Sequence, residues 1–138
     1  MDPRISFVTL AARHLAATRA FYVEGLGWSP VLDVPGEVVM IRVGERLLLS
    51  LWNEAHFEEE VGRIGRADGV PPFTLAHNVA TREEVDAALD DARSAGADVS
   101  VAAEREWGGY TGYFSDPEGV RWEIAWNPGE IGRLVLPG

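Results

Sequence analysis

Cysteine is absent from the 138 residues, and so is lysine; all twelve basic side chains are arginines. The first absence excludes disulfides, thiolate metal sites and cysteine nucleophiles. The second excludes Schiff-base chemistry. No apolar run approaches the roughly 20 residues that span a bilayer, and no basic segment leads into an apolar one near residue 1. A soluble, cytoplasmic protein without membrane contact is expected. Positive charge is scarce: the formal net charge is −10 and the pI is near 4.6. That balance argues against a nucleic-acid partner, whose affinity comes from neutralised phosphates. It suits a cationic ligand, or solubility alone.

What is present is enough apolar material, 46% of residues, for one core-bearing domain. Residues 5–11 alternate and predict a strand. Residues 15–26 carry an apolar stripe at helical spacing, with His14 at the cap position and Gly25 and Gly27 at the exit. Strands are expected near 30–35, 37–43 and 46–52, punctuated by Pro35-Gly36 and Gly44-Glu45. Residues 53–72 are polar and read as a linker, with a short helix at 54–63. The pattern then restarts. A strand is expected over 73–79, and Thr81-Arg82-Glu83-Glu84 forms a capping box. The helix it opens runs to Ser94, and strands follow near 98–105, 109–115 and 120–127. An internal repeat of strand, helix and three strands is the most informative feature of the chain. The expected organisation is a single domain: module 5–52, linker 53–72, module 73–127 and tail 128–138. The fold class is α+β, two βαβββ modules in tandem forming a curved mixed sheet around a cleft. Aligning the modules from their ends sets Trp52 opposite Trp126 and Leu49 opposite Glu123.

The segment Trp107–Asn127 reads as a hairpin turning at Asp116-Pro117-Glu118-Gly119. Glu123 interrupts its second, otherwise apolar strand. Such a carboxylate either faces water, serves chemistry in a cleft, or is tied to Arg121, Arg42 or a backbone amide. His77 falls on the opposite strand face and is expected to be a core histidine beneath the second helix. His14 and His56 are expected at the surface.

Val8-Thr9-Leu10, the stretch Arg19-Ala20-Phe21-Tyr22 to Leu26-Gly27-Trp28, and Phe114-Ser115-Asp116-Pro117-Glu118-Gly119 leading into Trp122-Glu123-Ile124 carry a resemblance. Over residues 5–128 the chain resembles the vicinal oxygen chelate superfamily. That group includes glyoxalase I, the bleomycin-resistance proteins, fosfomycin-resistance enzymes and extradiol dioxygenases. The resemblance implies four metal-ligand positions facing a cleft, and these fall on Phe7, Leu49, Thr74 and Glu123. Only Glu123 has a ligand's chemistry: Phe and Leu cannot coordinate, and a Thr hydroxyl is a poor neutral donor. A catalytic divalent site needs about three protein ligands, so no metal and no cofactor are expected.

Strand alternation then gives the expected lining: Phe7 and Thr9, Leu49 and Leu51, and Thr74, Ala76 and Asn78. Thr111 and Tyr113 join from the penultimate strand, with Trp107 and Tyr110 at the rim beside Gly108-Gly109. Trp52, Trp122 and Trp126 are assigned to core packing. Three functions compete. One is a binding protein holding an organic, cationic or aromatic ligand. Another is a metal-independent isomerase, epimerase or lyase, with Glu123 as acid/base and Tyr113 as hydrogen-bond donor. The last is a metal-dependent lyase or dioxygenase with non-standard ligands. The resemblance also implies a homodimer.

Overall fold

In the computed structural model, which describes residues 1–138, the repeat appears as two units, Met1–Asp68 and Gly69–Gly138. The first contains β1 (Phe7–Ala12), α1 (Leu15–Ala20), a π turn (Phe21–Gly25), β2 (Pro30–Val34), β3 (Val38–Gly44), β4 (Leu47–Asn53) and α2 (Glu54–Glu60). Its sheet runs β1-β4-β3-β2, with β1 parallel to β4 and the other pairs antiparallel. The second contains β5 (Leu75–Val79), α3 (Arg82–Ser94), β6 (Asp98–Val99), β7 (Ala103–Glu104), β8 (Tyr110–Ser115), β9 (Arg121–Trp126) and α4 (Glu130–Leu134). Its sheet runs β5-β9-β8-β6, β7 also pairs with β8, and β5 is parallel to β9. Each unit is thus a βαβββ module, and the whole is a mixed α+β fold. None of its helices is long and apolar enough to cross a membrane.

The core of the first unit is the face of its sheet that carries Leu10, Ala12, Val39, Ile41, Leu49 and Leu51, all buried with Phe21 and Tyr22 from the helical segment. The expected single helix over 15–26 divides. After Ala20 it widens, with Leu26 N–H donating to Phe21 O at 2.9 Å. The wider turn lets the consecutive rings of Phe21 and Tyr22 both reach the core, edge to face at 5.0 Å. Tyr22 also packs on Trp28, centroids 5.4 Å apart. The short helix expected at 54–63 is present as α2: Asn53 caps it through its side chain, and the Phe57 ring meets Trp52 at 6.1 Å.

In the second unit, Val85, Leu89 and Ala92 of α3 are buried, as are Phe114, Trp122 and Ile124 of the sheet. Phe114 and Trp122 stack at 5.9 Å. Each such buried side chain contributes about 1.5–3 kcal/mol. Gly112 lets the helix approach: a Cβ there would stand 2.4 Å from Leu89 Cδ1. The capping box forms as expected. Thr81 Oγ1 accepts from Glu84 N–H at 3.2 Å, and Glu84 Oε2 accepts from Thr81 N–H at 3.0 Å. The strand expected over 98–105 breaks into β6 and β7. Between them the Ser100 side chain takes the Tyr113 N–H at 2.9 Å.

Candidate functional site

Asp116 makes the hairpin turn that positions the site. Its buried side chain accepts from the Glu118 and Val120 amides, each at 2.9 Å. This sets the β8–β9 register, in which Tyr113 lies opposite Glu123 and Thr111 opposite Ala125. On the other side of β9, Ala76 pairs with Glu123 and Asn78 with Ala125. Period-two alternation therefore collects Ala76, Asn78, Thr111, Tyr113, Glu123 and Ala125 on the sheet face opposite α3.

Glu123 is half-buried there. It is tied neither to Arg121 nor to Arg42. Instead Tyr113 Oη donates to its Oε2 at 2.5 Å, and Oε1 has no partner in the chain. The hydrogen bond to Glu123, with burial second, raises the pKa of the Tyr113 phenol above its ordinary value. The guanidinium of Arg105 lies 6.0 Å from the Tyr113 ring centroid. It is held by Thr111, with Nε donating to Oγ1 at 2.6 Å and Nη2 to the carbonyl at 3.2 Å. Sequence patterning missed Arg105. Its flanking Glu104 and Glu106 marked it as one more exposed charge, and only its inward turn onto Thr111 reveals it.

Several expected lining residues lie elsewhere. Leu49 and Leu51 are fully buried on the helix-covered face of the first unit, not beside Phe7 and Thr9. The cause is an alignment slip. In the β1–β4 register Val8 faces Leu49, and in the β5–β9 register Leu75 faces Trp122. Leu49 thus corresponds to Trp122, and Ser50 to Glu123. A one-residue shift moves every side chain to the other face. Phe7 and Thr9 stay exposed on the face that carries Ser50, itself buried. Tyr110 is also on the helix side of its sheet, where its hydroxyl donates to Asp86 of α3 at 2.7 Å. Thr74 precedes β5, and its hydroxyl donates to the Arg121 carbonyl at 2.9 Å. Trp107 is exposed, and its ring lies so close to Gly109 that any Cβ there would overlap it. His77 is exposed rather than core; its alternation is as expected, but β5 is an edge strand. Of the tryptophans, Trp122 is core, while Trp52 and Trp126 are half-buried. The Arg82 guanidinium covers the Trp126 ring at 4.8 Å.

With the register corrected, the ligand positions that the resemblance implies fall on Phe7 and Ser50 in the first unit and on Thr74 and Glu123 in the second. Of these side chains only Glu123 carries an anionic oxygen donor; the two hydroxyls are poor neutral donors and a phenyl ring is none.

A sequence profile of the Glyoxalase/Bleomycin resistance protein/Dioxygenase superfamily matches residues 4–124. No curated protein sequence matches the chain. Among solved structures, a glyoxalase-related enzyme from Fulvimarina pelagi is 33% identical with a TM-score of 0.79, over 91% of this chain and 88% of that one. A glyoxalase/bleomycin resistance protein/dioxygenase from Nocardioides is 25% identical with a TM-score of 0.73, over 94% and 90%. A lactoylglutathione lyase from Agrobacterium tumefaciens is 25% identical with a TM-score of 0.69, over 92% and 96%.

Proposed function

We propose, from the premise that the chain belongs to the Glyoxalase/Bleomycin resistance protein/Dioxygenase superfamily, that it is a small-molecule-binding protein. It holds an organic ligand on the β8–β9 face around Glu123 and Tyr113, without the family's usual metal site. One observation carries this reading: Glu123 Oε2 is fixed by the Tyr113 hydroxyl at 2.5 Å while Oε1 stays open. A half-buried carboxylate held in one orientation, with one oxygen unused, offers a directed acceptor to a ligand N–H or O–H. The exposed Ala76, paired with Glu123 across β5 and β9, offers apolar surface beside it to a carbon skeleton. We also propose that the protein is a cytoplasmic homodimer, which sedimentation velocity tests.

A second reading rests on the same pair. A phenol that holds one carboxylate oxygen leaves the other as a directed base, so Glu123 Oε1 can take a proton from a ligand carbon and return it elsewhere. Tyr113 keeps the carboxylate oriented throughout. The chain would then be a metal-independent isomerase, epimerase or lyase. The likeness to a lactoylglutathione lyase supports an enzyme in general and names no substrate for this chain.

A thermal-shift screen of the full chain against metabolites and antibiotics, in wild type and Glu123→Gln, tests the binding function. A ligand at a hundred times its Kd stabilises the protein by about 2.7 kcal/mol. The stabilisation should shrink in the variant. Compounds that stabilise both proteins equally would place binding elsewhere. Turnover lost in Glu123→Gln with binding retained would favour the enzyme. Stoichiometric nickel, zinc, manganese or iron in protein purified without chelator would contradict both readings.

A further inference from the structure

Arg105 stands between Glu104 and Glu106 and pairs with neither, in a chain with 22 acidic residues. Glu104 is instead bound by Arg82. Four further arginines, Arg4, Arg19, Arg66 and Arg93, also hold carboxylates. Arg105 turns inward and is half-buried, held only by neutral oxygens of Thr111. A guanidinium has five N–H donors in a rigid fork. Here Nε–H and one Nη2–H are used, so both Nη1 hydrogens and the second Nη2 hydrogen remain. Two of those three, one on each Nη, form the outer end of the fork, where a carboxylate can be held by two parallel bonds. Arg121 is on the same face as Glu123, two residues before it, and it too pairs with no carboxylate.

We propose that the ligand is a small organic carboxylate bearing a hydrogen-bond donor, with its carboxylate on the free end of Arg105 and its donor on Glu123 Oε1. This rests on the reading of the β8–β9 face as the binding site and names the class of molecule bound there. Thr111, which holds Arg105, and Tyr113, which holds Glu123, are neighbours on one face of β8, and the Arg105 guanidinium lies 6.0 Å from the Tyr113 ring centroid, so the positive and negative ends of the site border the same ring. A hydroxy acid or amino acid of modest size matches that polarity. A simple cation would be attracted by Glu123 but repelled by Arg105, whose charge acts on the Tyr113 hydroxyl and opposes the rise in its pKa. A phosphate dianion would meet stronger repulsion from Glu123 than a monocarboxylate. The guanidinium fork also explains why arginine rather than a point charge suits the position.

Nuclear magnetic resonance of the isotope-labelled full chain tests this with four probes: mandelate, its neutral amide, inorganic phosphate and benzylamine. Mandelate should shift the Arg105 side-chain signal and the Thr111 and Tyr113 amides, and mandelamide should not. Its affinity should fall about tenfold or more in Arg105→Gln and less in Arg105→Lys, which keeps the charge without the fork. Glu123→Gln exchanges the charged acceptor for a neutral one and should also weaken mandelate binding, because a hydrogen bond to a carboxylate is stronger than one to an amide oxygen. Well-dispersed spectra of both Arg105 variants confirm that the fold survives. Mandelate binding that is indifferent to Arg105, or phosphate binding in preference to it, would overturn the assignment. Benzylamine shifting the Tyr113 signals while mandelate shifts nothing would overturn it too, yet leave the β8–β9 face as a ligand site. Silence from all four probes would also overturn it, and the organic-ligand screen of the two Glu123 forms would then decide separately whether the face binds anything.

Discussion

Removing the Tyr113 hydroxyl tests the pair on which the site is built. In Tyr113→Phe the ring and its contact with Arg105 persist, but Glu123 Oε2 loses the donor now 2.5 Å away. A hydrogen bond to a charged acceptor contributes about 1.5–3 kcal/mol when well buried. Both partners are half-buried, so water replaces part of what is lost, and about 1 kcal/mol is the expected cost. For a chain of this size that lowers Tm by about 4 °C. Urea unfolding of Tyr113→Phe, Glu123→Gln and the double variant closes a cycle whose coupling should be about 1 kcal/mol. The pH dependence gives a second readout. The folded phenol titrates above its unfolded value, raised first by the hydrogen bond to Glu123. Its contribution is therefore fully present below the unfolded tyrosine pKa of about 10. It is lost as pH rises from there through the folded value. Wild type should lose stability more steeply than Tyr113→Phe above about pH 10. Strictly additive single-variant effects, with parallel alkaline profiles, would refute the pairing.

Other outcomes follow from the two units. Thr81→Ala removes one half of the capping box and should cost about 1 kcal/mol of stability, measured by urea unfolding; an unchanged midpoint would contradict the cap. Gly112→Ala should destabilise by about 1–3 kcal/mol through overpacking against Leu89, and adding Leu89→Ala should relieve part of that cost rather than add its own full penalty. In the first unit, Trp52 Nε1 donates to Glu37 Oε1 at 3.0 Å, and His56 Nδ1 meets Oε2 at 2.6 Å. These contacts, the Trp52 bond first, hold the Glu37 carboxyl below its usual range. Their stabilisation is present above the ordinary carboxylate pKa and is lost as pH falls through the lowered folded value. Acid titration of Trp52 fluorescence should show a transition that Glu37→Gln abolishes; an identical transition in the variant would assign it to another group.

Elements with local chemical causes were legible in the sequence. Thr81-Arg82-Glu83-Glu84 encodes its own cap, and the Asp116 turn its own hydrogen bonds, so α3 and the β8–β9 hairpin stand as expected. The face shared by Tyr113 and Glu123 followed from alternation within one hairpin. Alignment across the repeat was less secure. Matching Trp52 to Trp126 assumed equal strand ends, but Trp52 lies on the face opposite the helix-covered core, with Glu37 and His56, while Trp126 lies under Arg82. That single slip misplaced Leu49 and Leu51. Counting instead from Val8 and Leu75 at the strand starts gives Ser50. His77 misled for a different reason: alternation fixes a face, whereas burial depends on whether the strand is central, and strand order is a long-range property. Arg105 was hidden because the choice between Glu104, Glu106 and Thr111 is made by tertiary packing, not by spacing.

The proposed organic ligand binds through Glu123 on the β8–β9 face. A crystal structure of the full chain soaked with a compound that stabilises wild type but not Glu123→Gln tests it most directly. The ligand should place a donor on Glu123 Oε1, with the Tyr113 hydroxyl still on Oε2. A ligand bound away from Glu123, or a metal ion coordinated by Glu123 in its place, would contradict that placement.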